Sequence, residues 1–186
     1  MPHLKLGTLI SEVNDRTTIN NQYEVLTSSQ DGIVSQSEYF NKQVASVNNI
    51  GYKIIKKGQF TYRSMSDTGK FYINKLNNVN VGIVSPAYPV FEISSSKIIT
   101  SYLELFFQSS FFQNQISNKS AGSTRLALKY NRLSNLDINV PNIGTQEEIV
   151  NTLSLIKKQI KIKSTELNNF DELVKSRFMC QEASAW

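Results

Sequence analysis

Two hydrophobic periods divide this chain. Through most of its length apolar side chains alternate with polar ones in short runs, as in Phe60 and Tyr62, Phe71 and Ile73, and Val79, Val81 and Ile83. A spacing of two puts such residues on one face of a half-buried strand. Tyr52 to Ile55 precedes Lys56-Lys57-Gly58-Gln59, a turn-like break, and Ser85 to Phe91 reads as a loop entering a short strand. From Ser96 to about Ile116 the spacing turns helical over a broad apolar face that holds Ile99, Leu103, Phe106, Phe107 and Phe111. Asn118 to Thr124 is small and polar, a loop, and Leu133 to Val140 leads through Pro141 and Gly144 towards a long helix. Strands followed by helices, without a regular βαβ alternation, predict an α+β fold.

The second period is 3.5. Thr145 and Glu148 have the Ser/Thr-x-x-Glu spacing in which each side chain satisfies the other's free backbone N–H. No Gly or Pro follows before the chain ends, so the helix is expected to run uninterrupted from Thr145 to about Phe178. One apolar row reads Leu153, Ile160, Leu167 and Val174; its companion reads Ile149, Ile156, Lys163, Phe170 and Arg177. That is a coiled-coil seam, with one row interrupted twice by a cation. A rod of about 50 Å with such a seam calls for a partner helix. A second copy is the simplest cover, and an antiparallel one sets Lys163 and Arg177 beside Glu147, Glu148 or Glu166. Leu155 and Ile162 form another stripe, read either as a docking face for a different subunit or as packing back on the globular part.

Composition narrows the class. At 186 residues with 40% hydrophobic and 19% charged positions, the chain is a folded domain plus an appendage. No apolar run approaches the roughly 18 residues that span a bilayer, and Met1-Pro2-His3-Leu4 reads as the start of a cytoplasmic protein. A single Cys180 fits a reducing compartment, and with His3 it cannot build a Cys/His zinc site. Residues 1–144 carry 14 Lys+Arg against 9 Asp+Glu, whereas the helix is nearly balanced. The surplus on the globular part suits a polyanion, since each phosphate contact gains from counterion release, or serves solubility.

Isolated glycines leave no glycine-rich turn for a nucleotide or S-adenosylmethionine, and one histidine supports no nucleophile–base arrangement. No enzymatic activity is expected of this chain alone. Two segments look built to touch phosphates. Thr61 to Lys70 groups Tyr62, Arg63, Ser64, Ser66 and Lys70 between strands, with Lys56 and Lys57 just upstream. Ser120 to Arg125 offers small residues, with Ser123 and Thr124, ending in the Arg125 guanidinium. Such groups hold phosphate oxygens, and Arg can also read guanine. By composition alone both segments read first as solvated loops between strands and helices, and Tyr62 and Tyr52 as strand core.

Leu6-Gly7-Thr8-Leu9-Ile10, then Tyr52 to Arg63, then Gly82 to Phe91, then Gly122-Ser123-Thr124-Arg125, then Val140-Pro141 and Gln146-Glu147-Glu148-Ile149-Val150 occur in that order before the long helix. This ordered set resembles the specificity subunit of type I restriction-modification systems over nearly the whole chain to Phe178. The resemblance implies a target-recognition domain of α+β fold over residues 1–144, in which the two segments above would supply the DNA contacts: Lys56, Lys57, Tyr62, Arg63, Ser64, Ser66, Lys70, Ser123, Thr124 and Arg125. It implies a conserved-region helix over 145–178 that acts as a spacer and docks subunits; the seam read above would dimerise it through Ile149, Leu153, Ile156, Ile160, Leu167, Phe170 and Val174, and the other stripe would dock subunits through Leu155 and Ile162. Residues 179–186 form a tail. Family members resemble two such units in tandem, and this chain holds one.

The function so implied is sequence-specific binding of double-stranded DNA by a non-catalytic subunit. It would direct a modification (adenine methyltransferase) subunit and a restriction subunit to a bipartite, palindromic target as an antiparallel homodimer. S-adenosylmethionine, ATP and Mg would then be bound by partner subunits and none by this chain. Two other readings remain: a truncated interaction protein that pairs with a full-length specificity subunit and alters its specificity, and the recognition domain of a combined restriction-methylation enzyme.

Overall fold

The computed structural model describes the backbone of residues 3–39, 48–117 and 126–183, and their side chains apart from Glu38 and residues 177–183. Contacts divide the chain into two compact units, Met1–Gln146 and Glu147–Trp186. The first unit opens with β1 (His3–Lys5), β2 (Ile10–Val13), β3 (Leu26–Ser29), β4 (Gly32–Ser35) and the short α1 (Gln36–Tyr39). Next come β5 (Lys53–Lys56), β6 (Phe60–Thr61), β7 (Met65–Ser66), β8 (Asn74–Lys75), β9 (Val81–Val84) and β10 (Val90–Ile93). Helices α2 (Thr100–Gln108) and α3 (Ser110–Ser117), strand β11 (Leu126–Ala127), α4 (Tyr130–Ser134) and β12 (Asp137–Asn139) precede α5 (Ile143–Ala183).

The strands named above pair antiparallel, and a parallel bridge joins Val25 to Ile83 of β9. A four-stranded sheet runs β2-β10-β6-β8, and four two-stranded ribbons, β1-β12, β3-β4, β5-β9 and β7-β11, surround it. Short antiparallel strands with helices grouped late in the chain make an α+β architecture, as the alternation predicted. The Lys56–Gln59 turn is real. Gly58 takes φ 91°, open to glycine at no steric cost, and the Gln59 side chain accepts the Lys56 N–H at 2.8 Å.

The core is aromatic where sheet meets helices. Phe60 stacks on Phe91 with ring centres 5.3 Å apart, and Phe107 meets both edge-on. Phe112, also fully buried, lies against Phe106 and Phe107. A second, smaller cluster joins Leu26, Ile33, Ile55, Leu76, Val84 and Val90. Gly7 sits where a Cβ would lie 2.8 Å from that of Ser134, so the Leu6–Ile10 segment packs on α4 with no room for a side chain.

Three local readings are corrected. The helical pattern of residues 96–116 starts only at Thr100 and is split into α2 and α3 at Ser109. Ser109 takes an extended backbone, its hydroxyl donates to the Phe106 carbonyl at 2.6 Å, and its oxygen accepts the Phe112 N–H at 3.2 Å. The break advances the buried face by one residue, so Phe112 and Ile116 are inside and Phe111, expected there, is half exposed. Phe71 and Ile73 are buried but precede β8 outside any strand, because a side chain stands in for the neighbouring strand. Gln113 accepts the Phe71 N–H and donates to the Phe71 carbonyl. Lastly, the long helix begins at Ile143 and is capped by Asn142, whose side chain accepts the Thr145 N–H at 2.9 Å, so the Thr145–Glu148 box does not mark its start.

Within the first unit, the opening turn of α5 is tied down by one buried amide. Gln146, 0% exposed, donates to the carbonyls of Lys97 and Pro141, both at 2.8 Å, and accepts the N–H of Ile99, the residue before α2, at 3.0 Å. Both donors are used, and no other residue type offers that set at that length.

Candidate nucleic-acid interface

The fate of each cation separates structural charge from available charge. Lys5 is paired with Asp137, Lys53 with Glu12, Lys56 with Asp15 and Lys75 with Glu104, at 2.7 to 3.4 Å. Arg132 is drawn inward, its guanidinium donating to the carbonyls of Ile116 and Ala127. Among the described residues no carboxylate pairs with Lys57, Arg63 or Lys70. Arg63 and Lys70 share one hollow of about 160 Å³ with Ser66, Asp67, Thr68 and Tyr72.

The hollow is held by its surroundings. β7 pairs with β11, Leu126 opposite Ser66, and the Leu128 N–H donates to the Ser64 carbonyl at 2.8 Å. Gly69 takes φ 77°, which lets the chain reverse between Thr68 and Lys70. On the far side Ser28, from β3, donates to the Tyr72 carbonyl at 3.2 Å, and the Asn74 amide donates to Ser28 and to the Ser29 carbonyl. Lys70, Phe71 and Tyr72 also line an adjoining groove of about 520 Å³ that includes Gln30, Asn74, Gln108 and Gln113. Together they form a groove with two uncommitted cations, several hydroxyls and amides, and one carboxylate, suited to an extended polar anion. Among the described residues no cluster of His, Cys, Asp or Glu could hold a metal ion, and no helix is long and apolar enough to cross a membrane.

Of the residues marked from sequence, Arg63, Ser66 and Lys70 come together here. Lys56 and Lys57 stand at the β5–β6 turn and do not line the hollow, and Ser64 contributes its carbonyl to β11's neighbour rather than its side chain to the wall. Tyr62 is corrected: it is fully buried among Phe91 and the core, so it cannot stack on a base. Burial, with the Glu12 carboxylate and Tyr130 nearby, pushes its hydroxyl far above the usual tyrosine range. Ser123, Thr124 and Arg125 lie outside the described residues. Sequence reading missed Ser28, Gln30 and Tyr72. The Asp31-Gly32 pair between two apolar runs was the available hairpin signal.

In the second unit the seam residues are open. Leu153 is 38% exposed, Ile160 64%, Leu167 62% and Phe170 64%; Ile156 and Val174 are exposed as well, and Ile149 is half-buried. Leu155, Ile162 and Leu173, the last not marked from sequence, are exposed too. Lys163 donates to Glu166 one turn on, at 2.9 Å.

Residues 10–170 match the sequence profile of the family described as the type I restriction modification DNA specificity domain. Solved structures share the fold. One from work on complex assembly and conformational transition of the type I R-M system gives a TM-score of 0.58 at 14% identity, over 86% of this chain and 39% of that one. The type I restriction-modification system S subunit from M. genitalium gives 0.51 at 12%, over 86% and 40%. The HsdS subunit from Thermoanaerobacter tengcongensis gives 0.54 at 14%, over 86% and 38%. The chain thus spans about two fifths of the length of these solved proteins. No curated protein matches it.

Proposed function

The chain belongs to the family of type I restriction modification DNA specificity domains, and from that membership we propose that it is a non-catalytic specificity subunit that binds double-stranded DNA and directs a partner adenine methyltransferase to it. The observation that carries this is the hollow of Arg63 and Lys70: cations in no ion pair among the described residues, set among hydroxyls, where phosphates are held by charge and by O–H donors. S-adenosylmethionine, ATP and Mg belong, on this reading, to the modification and restriction subunits.

Two copies of this recognition unit, paired through the open row of α5, would read two half-sites. A two-fold pair of identical units presents the same surface twice in opposite orientation, so the target is a bipartite palindrome. The open apolar row of α5 supports such a pair, antiparallel, with Leu155 and Ile162 left for the modification subunit. The test is methylation-sensitive sequencing of DNA from cells expressing this chain, as the specificity chain, together with its modification subunit. A methylated palindrome with a fixed non-specific spacer is expected. An asymmetric motif rejects the homodimer and favours pairing with a different specificity chain; absence of new methylation rejects the targeting role.

A further inference from the structure

The geometry points to Gln30, at the tip of the β3–β4 ribbon, as a base-reading residue that recognises adenine through its side-chain amide, with Tyr72 as its positioning residue. This rests on the DNA reading above and adds a specificity-determining group to it.

The ribbon is anchored and only its tip is offered. All of Leu26–Ser29 is buried, whereas Gln30 and Asp31, which join the strands, are exposed. The tip is held in shape from below. Ser29 Oγ accepts the Asp31 N–H at 3.1 Å and donates to the Gly32 carbonyl at 3.1 Å, while Asn74 holds the Ser29 carbonyl at 2.8 Å. A two-stranded ribbon is one of the elements that the major groove of DNA admits.

The amide itself is poised. The Tyr72 hydroxyl donates to Gln30 Oε1 at 3.3 Å, which steadies the amide at the rim of the groove. That oxygen keeps a second lone pair, and the two Nε2 hydrogens meet no acceptor among the described residues. Acceptor and donor side by side are what the adenine N6/N7 edge requires. The neighbouring amides are committed to the fold: Gln113 to both ends of the Phe71 peptide unit, Asn74 to Ser28 and Ser29. Asp31, adjacent to Gln30, repels phosphate, so the tip suits a base edge, while Arg63 and Lys70 across the shared groove suit the backbone.

The test is selection from a pool of randomised DNA duplexes by the chain assembled with its modification subunit, for the unmodified protein, Gln30→Ala, Gln30→Glu and Tyr72→Phe. Gln30→Ala is expected to relax preference at one adenine position roughly 5- to 100-fold while leaving other positions and the salt dependence intact. Gln30→Glu should move that position towards cytosine, whose N4 amine needs an acceptor, and Tyr72→Phe should weaken the same preference alone. A motif unchanged base by base in Gln30→Ala, or relaxed at a position other than adenine, overturns the inference and leaves the DNA reading standing. An unmodified protein that enriches no motif overturns both.

Discussion

The two units of this chain treat the same kinds of side chain in opposite ways. In residues 1–146 apolar groups and amides close on one another: Phe60, Phe91, Phe107 and Phe112 interlock, and Gln113, Gln115 and Gln146 each hold backbone groups from elsewhere in the chain. In residues 147–176 equally apolar side chains stand open, with Leu155, Ile160, Leu167 and Phe170 all above 60% exposed. A helix gains most of its stability from packing an apolar face, so a 41-residue helix with such a face is built for a surface outside its own unit. One unit is satisfied within itself; the other leaves its apolar row open.

The sharpest way to break that contrast is to charge the open row. Replacing both Ile160 and Leu167 with Asp is expected to dissociate the pair completely, since burying the carboxylates in a seam costs several kcal/mol. The thermal unfolding of residues 1–146 should not change, because neither side chain belongs to that unit. Sedimentation equilibrium reads the first and calorimetry the second. A clean monomer for the unmodified chain at micromolar concentration removes the self-pairing half of the comparison.

Gln146→Ala probes the closed unit. It strands the carbonyls of Lys97 and Pro141 and the N–H of Ile99 at a site with no solvent exposure of the side chain removed. With about 1–3 kcal/mol for each buried group left unsatisfied, and water able to reach some of them, a net loss of about 2–4 kcal/mol is expected. Denaturant unfolding measures it. A loss under about 0.5 kcal/mol would show that the clamp is dispensable.

What sequence could reveal followed the same divide. The helix was legible because its period is local: residues three and four apart decide its face whatever surrounds it. So was the Lys56–Gln59 turn, which needs only Gly58 and Gln59. The hollow was half legible. Residues 61–70 announce themselves by their cations and hydroxyls, but Ser28 reaches the hollow, and Gln30 the groove beside it, only through tertiary contacts, Tyr72 and Gln30 lying 42 positions apart. Nor could local pattern tell Lys56, paired with Asp15 from 41 positions away, from Arg63, which meets no carboxylate among the described residues. The helix break at Ser109 turned on one side chain capping its own backbone, a competition that spacing does not register.

The distinction between committed and uncommitted cations gives a smaller test. Arg63→Ala or Lys70→Ala should weaken DNA binding by about 1–3 kcal/mol and, if the contact is to phosphate, lower the salt slope by about one unit for all sequences. Lys56→Ala should change binding little, since its ammonium already lies 3.1 Å from Asp15. Titration of a duplex at several salt concentrations, with the chain assembled in its complex, separates them. Equal losses at positions 56 and 63 would show that carboxylate pairing does not decide which cations meet DNA.

The smallest expected effect gives the finest view of the seam. Lys163 interrupts the apolar row and here donates to Glu166 at 2.9 Å, with the lysine side chain 78% exposed. As an isolated exposed pair at i,i+3 it should contribute only about 0.2–0.5 kcal/mol, as read by a double-mutant cycle of Lys163→Met and Glu166→Gln. In an antiparallel pair of helices the same ammonium sits beside the partner's seam, partly desolvated, and its carboxylate neighbours become more strongly coupled to it. The cycle should then be run twice, once on the unmodified chain and once on the Ile160→Asp, Leu167→Asp background that has lost its partner. A coupling that falls from above 1 kcal/mol to a few tenths places Lys163 inside the pair. An identical coupling in both backgrounds leaves it on the solvent side and shifts the register of the helices away from this row.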